Sequence, residues 1–320
     1  MPVVVLFLLF ILGLVLIIIG SDWFVDSTIW IAKVLRIPDL IIGATLVSIC
    51  TTLPELLVST GSALNGDTSM ALGNAAGSVA CNTALILGTA IIFSTPNLYN
   101  KKPLKIKSLS VSLTLIMILA VGYFTGFITR GLGIVLLAMT GLFIYYNYSE
   151  AKAHRKITEK DTTVDVSRKN IIKSTALFII GLAFTIAGAR LMVVYGLKIA
   201  YALNVPSIII GVTMTALGTS LPELMTSITA IRKKVSAISI GNIFGANILN
   251  LTLVLGTSAI IKPIVLTREI LTFHLPVILG ITLIIVAGTF LAKKKYPRLL
   301  GITLLLSYIG YMIATALTIG

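Results

Sequence analysis

Charged residues make up only 11% of this 320-residue sequence, with 25 basic residues, 11 acidic ones, two histidines and two cysteines. Soluble globular domains carry about 25% charge, so a fold solvated by water on all sides is excluded. Two cysteines give no disulfide framework, and two histidines give no His/Cys metal cluster. Cys50 and Cys81 both fall inside apolar runs, where a thiol is expected simply to pack. His154 and His274 stand apart from every intramembrane carboxylate motif, which disfavours a proton relay. There is no His-Glu-x-x-His pattern and no nucleophile beside a base, so an intramembrane hydrolase lacks its parts.

Apolar length is abundant. Hydrophobic residues account for 57% of the chain and the mean hydropathy is +1.05. A bilayer core of ~30 Å needs roughly 20 apolar residues per helix. Ten such stretches are expected, near 2–35, 38–64, 70–93, 108–127, 131–148, 171–203, 206–231, 236–261, 271–292 and 297–318. The run Val3 to Ile19 has neither a basic flank before it nor a small-residue cleavage site after it, so it reads as a retained first span.

The formal charge of +14 sits in the connections between spans, which points to anionic lipid headgroups and not to nucleic acid. Alternate connections hold Lys33 and Arg36, Lys101 to Lys107, Lys152 to Lys173, Arg232 to Lys234 and Lys293 to Arg298, against only Arg130, Lys198, Lys262 and Arg268 on the other side. The positive-inside rule makes the first set cytoplasmic and both termini extracellular. Tyrosines and tryptophans near span ends read as interfacial anchors.

The chain repeats itself. Gly20 to Gly88 aligns without a gap on Gly188 to Gly256 at a constant offset of 168, with Pro38 on Pro206, Glu55 on Glu223, Asn74 on Asn242 and Asn82 on Asn250. About a third of the aligned positions are identical, more than shared apolar composition produces. Five spans per half is an odd number, so the second copy enters the membrane in the opposite sense. The expected architecture is therefore all-α and integral to the membrane, with ten transmembrane helices as two inverted five-helix repeats: a first half 1–148, a cytoplasmic linker 149–170 and a second, inverted half 171–320.

Two motifs recur at mid-span: Thr51-Thr52-Leu53-Pro54-Glu55 with Thr219-Ser220-Leu221-Pro222-Glu223, and Gly73-Asn74 through Asn82 with Gly241-Asn242 through Asn250. A proline inside a helix frees an upstream carbonyl, here around Ser48 to Thr52 and Ala216 to Ser220. At membrane depth such carbonyls are tolerated where they line a cavity or ion site. A carboxylate at the bilayer centre costs ~2.5 to 3.5 kcal/mol, and two in identical Pro-Glu contexts are not explained by chance pairing with a base. Carboxylate, hydroxyl, amide and carbonyl oxygens select hard cations such as calcium, sodium or magnesium. Glycines 73, 77 and 88, with 241, 245 and 256, are expected to bring the Asn-bearing spans close to the Pro-Glu spans. Asp22 and Arg190 occupy matching positions and suggest a structural ion pair across the pseudo-twofold axis.

These two motif pairs resemble the alpha-repeats of the cation/calcium antiporter superfamily, and Gly73-Asn74-Ala75-Ala76-Gly77-Ser78 with Gly241-Asn242-Ile243-Phe244-Gly245-Ala246-Asn247 is more similar to its sodium/calcium branch than to its proton/calcium branch. The resemblance implies a monomeric antiporter without a cofactor, exchanging Ca2+ for Na+ by alternating access. It implies Glu55 and Glu223 as calcium ligands shared with sodium, and Thr51, Thr219, Thr52, Ser220 and Ser78 as oxygen donors. Asn82 and Asn250 would complete the centre, and Ser48 and Ala216 would give backbone carbonyls. Two departures stand out: Asn250 where some relatives carry Asp, leaving two formal carboxylates, and Ala246 where a serine like Ser78 is common. The competing readings are a proton/calcium antiporter on the same fold and a passive cation channel, which normally needs a ring of subunits.

Overall fold

The computed structural model describes residues 3–94, 101–157, 165–203, 218–292 and 295–319, and these are almost entirely helical. In chain order the helices are α1 (Val3–Leu35), α2 (Asp39–Thr51), α3 (Leu53–Leu64), α4 (Thr68–Ser94), α5 (Lys101–Thr125), α6 (Arg130–Ile157), α7 (Arg168–Ala202), α8 (Leu221–Arg232), α9 (Ser236–Ile261), α10 (Ile270–Leu291) and α11 (Arg298–Ile319). Among the described residues, eight of them are individually long and apolar enough to cross a membrane, and α2 with α3, bent by 43°, are so only when taken together as a pair. The span expected at 206–231 lies partly outside the described residues; its later part is α8. Among the described residues a two-residue antiparallel ribbon, Phe127–Ile128 on Ile264–Val265, ties the α5–α6 connection to the α9–α10 connection.

The stretch expected as a linker, 149–170, is helical at both ends. Residues 149–157 continue α6, and α7 starts at Arg168 behind Ser167, whose hydroxyl accepts the Asn170 N–H at 3.4 Å as an N-cap. Buried Lys107 on α5 meets Glu150 on α6 at 3.3 Å, so this extension is anchored.

Burial sorts the helices. Most of the apolar window is buried in α9 (83%) and α4 (72%), against 17–44% in the other single-helix spans. The Asn-bearing helices are therefore the centre of the molecule. The outer helices turn leucines, isoleucines and phenylalanines outward, among them Leu8, Phe124, Leu142, Ile179, Leu291 and Leu306, a surface that only lipid solvates without penalty.

Small residues set the closest contacts. In α1 and α7, Gly13 lies on Gly188 and Gly20 on Gly181: a Cβ on Gly20 would stand 2.7 Å from the Gly181 carbonyl, so the two backbones touch. Gly241 and Gly245 of α9 abut α2 at Leu40, Ala44 and Ser48, as expected for an Asn helix against a Pro-Glu helix. Gly88 and Gly256 do something else. They meet Gly301 of α11 and Gly133 of α6, so these two glycines dock the central helices onto the outer ones. Asp22 also departs from expectation: it meets Lys233 at 3.6 Å, and Asp26 meets the same ammonium at 2.8 Å, because the end of α8 packs beside α1.

Candidate cation site at the helix breaks

Each Pro-Glu motif begins a helix. Thr52 (φ −81°, ψ −5°) stands between α2 and α3, and Ser220 (φ −86°, ψ 5°) stands before α8. Pro54 and Pro222 lie in the first turn, where a missing N–H costs nothing because that turn has no upstream acceptor. Glu55 and Glu223 consequently sit in a first helical turn, where the positive end of the helix dipole stabilises an anion. The expected mid-helix kink is thus a helix restart, and it explains how two carboxylates are held in the bilayer without a basic partner. Among the described residues, the ion pairs involve neither of them.

Both glutamates are fully buried, and none of their four carboxylate oxygens has a hydrogen-bond partner. They lie near enough to feel each other's charge, with Ser78 beside the Glu55 carboxyl and Thr51 beside that of Glu223. Asn82 and Asn250 are fully buried too, and both amide atoms of each lack partners, as do the hydroxyls of Thr52 and Ser220. Buried polar groups left unsatisfied are rare in folded proteins. Here they occur at matching positions of the repeat, on helices packed against each other.

The asparagines owe their position to a local change of winding. Cys81–Ile86 and Asn250–Val254 are π-helical turns inside α4 and α9. A π-turn inserts one residue into the α-helical ladder and re-aims the side chains around it, and it is often found at functional sites. Cys81, expected only to pack, is buried at this turn beside Ser220 and Tyr308.

The two halves are stitched through the same motifs. Thr51 Oγ1 donates to Asn242 Oδ1 at 3.1 Å, and Thr219 Oγ1 donates to Asn74 Oδ1 at 3.0 Å, so each threonine is held by the asparagine of the other half. Asn74 and Asn242 had been visible as motif residues but carried no expected role. Their repetition at the offset was the signal; the crossing partner was not readable. Of the two expected carbonyl donors, that of Ser48 accepts the Thr52 N–H at 2.9 Å and keeps a second lone pair, and Ala216 lies outside the described residues. Among the described residues no group of three or more His, Cys, Asp or Glu comes together, which leaves the two glutamates as the charged donors.

This arrangement has close counterparts. The chain is 37% identical over 239 residues to an uncharacterized membrane protein of Methanocaldococcus jannaschii, covering 75% of this chain and 76% of that one. It is 30% identical to the sodium/calcium exchanger MaX1 of Methanosarcina acetivorans, over 96% of this chain and 97% of that one. Its fold superimposes on the sodium-calcium exchanger NCX_Mj soaked with 10 mM Na+ and zero Ca2+ with a TM-score of 0.84 at 30% identity, covering 98% and 99% of the two chains. The family model described as sodium/calcium exchanger protein matches twice, at residues 5–149 and 173–317. With buried oxygen donors gathered at two matched helix breaks and nearly the whole length covered, this chain belongs to the sodium/calcium exchanger family of membrane transporters.

Proposed function

We propose that this protein exchanges calcium for sodium across the cell membrane by alternating access, with Glu55 and Glu223 as the shared charged ligands. The observation that carries the reading is the set of buried, unpartnered oxygens on both glutamates, Asn82 and Asn250, with the Thr52 and Ser220 hydroxyls beside them. An empty pair of carboxylates is costly in a bilayer, so the carrier reorients only when loaded. Thr51, Thr219 and Ser78 add hydroxyl oxygens, and Ser48 and Ala216 add carbonyls. The site is all oxygen, so it takes hard cations, which are its cargo.

The proposed architecture has ten helices, in two inverted halves of five joined by a cytoplasmic linker at 149–170, with both termini outside. The twofold family match and the matched π-turns support it. All the proposed ligands come from one chain, which supports a monomeric carrier in contact with anionic lipid at its basic connections. The name of MaX1 and the cations soaked into NCX_Mj support sodium as the counter-ion.

The test is radioactive calcium uptake into proteoliposomes preloaded with sodium, alongside vesicles holding a pH gradient and no sodium. Sodium-driven, saturable uptake is the expected result. Uptake driven by protons alone would move the chain to proton exchange, and unsaturable uptake with neither gradient would make it a channel.

A further inference from the structure

We infer that Asn74 is a positioning residue that commits the hydroxyl hydrogen of Thr219, so that its oxygen presents only lone pairs to the cation. The inference rests on the cation-exchange reading above.

The direction of each hydrogen bond follows from what its partner is able to do. Asn74 Nδ2 lies 3.2 Å from the Glu55 backbone carbonyl and 2.9 Å from Ser59 Oγ. A carbonyl only accepts, so the nitrogen end of the amide is fixed there. Ser59 spends its own hydrogen on the Ala71 carbonyl at 3.2 Å, so it too accepts from Asn74. The amide oxygen therefore faces Thr219, 3.0 Å away, and being acceptor-only it takes that hydroxyl's single hydrogen. Thr219 is left only lone pairs to offer at its 3.4 Å contact with Ser78. The chain from Thr219 through Asn74 and Ser59 to the Ala71 carbonyl runs in one direction only.

The consequence is chemical. The Thr219 oxygen lies 3.4 Å from Ser78, which stands beside the Glu55 carboxyl, and a hydroxyl hydrogen turned into that site would repel an incoming cation. With the Thr219 hydrogen drawn away by Asn74, its oxygen joins the ligand set. Asn74 thereby turns a competitor into a donor.

The other half carries a shorter version. Thr51 donates to Asn242 Oδ1 at 3.1 Å, but the Asn242 nitrogen has no partner, and neither does the hydroxyl of Ser227, which matches Ser59. Ala246 stands where Ser78 has its match. Asn242 is oriented by one bond, Asn74 by three.

The experiment is equilibrium binding of radioactive calcium to the purified full-length protein in detergent, with sodium as competitor. Thr219→Val and Asn74→Leu are each expected to raise half-saturation about tenfold, the scale of one buried hydrogen bond. The double variant should be no worse than the weaker-binding single, because both remove the same bond. Asn74→Leu combined with Thr51→Val, which share no bond, should give the product of the two effects. Thr219→Ser, which keeps the hydroxyl, should bind more tightly than Thr219→Val. Asn74→Ala repeats the cycle without leucine's bulk, so that misfolding does not imitate a lost bond. A Thr219–Asn74 double effect equal to the product of the singles overturns the proposal, as does unaltered binding in both Asn74 variants. If the unmutated protein binds no calcium, the exchange reading itself fails and this one falls with it.

Discussion

Glu55 and Glu223 are fully buried carboxyl groups, and among the described residues neither is in an ion pair with a base. For each, replacement by glutamine keeps the shape and removes one of two formal charges. Calcium uptake in Glu55→Gln and in Glu223→Gln is expected to fall at least a hundredfold, which corresponds to about 2.7 kcal/mol of lost binding. Stability should move the other way. In chelator, where the site is empty, each variant should melt at or above the temperature of the unmutated protein, because one of two neighbouring buried ionisable carboxyl groups has been removed. Uptake assays and scanning fluorimetry on the same preparations check both. A variant that keeps its uptake removes that glutamate from the ligand set. At this scale the sequence was most informative: the repeated Pro-Glu and Gly-Asn motifs located the candidate donors, with the Asp22 partner the main error. Asp22 was matched to Arg190 by position in the repeat, but an ion pair depends on which helix ends adjoin, and Lys233 at the end of α8 is the nearer cation.

Among the described residues the helices were legible in order, because apolar runs of bilayer length leave few alternatives. What stayed hidden was their internal winding and their facing partners. A π-turn is one inserted residue, and nothing in Cys81–Ile86 or Asn250–Val254 distinguishes it from an ordinary helix turn by composition. Likewise all six candidate glycines looked alike, yet Gly241 and Gly245 face α2 whereas Gly88 and Gly256 face α11 and α6. The difference is testable. A Cβ at Gly241 would collide with the Leu40 carbonyl, which is backbone and has little room to yield. Gly241→Ala is therefore expected to lose about 1–3 kcal/mol of stability, and to weaken calcium binding as α2 and α9 are pushed apart. Gly61→Ala, at a helical glycine between the same motifs with no neighbour close to the added methyl among the described residues, should leave both unchanged. Thermal melting with and without calcium separates the two outcomes.

For the whole molecule, the distribution of basic residues predicts orientation independently of the site. Lys152 is exposed near the end of α6, and Phe127 is exposed in the α5–α6 connection at the opposite end of that helix. In a background without Cys50 and Cys81, a membrane-impermeant maleimide should label Phe127→Cys in intact cells and Lys152→Cys only after permeabilisation. The reverse pattern would invert the proposed topology without touching the ion site.

The crossed threonine–asparagine bonds, with α9 seated on α2, also bear on how the protein is made. Thr51 finds its partner 191 residues downstream, and Thr219 reaches back 145 residues. While the ribosome is still working on the second half, the first half sits in the lipid with Glu55, Thr51 and Asn74 already inserted and no counterpart to receive them. That interval is when the nascent chain is most exposed to membrane proteases and insertion chaperones, and it closes only when α8 and α9 arrive.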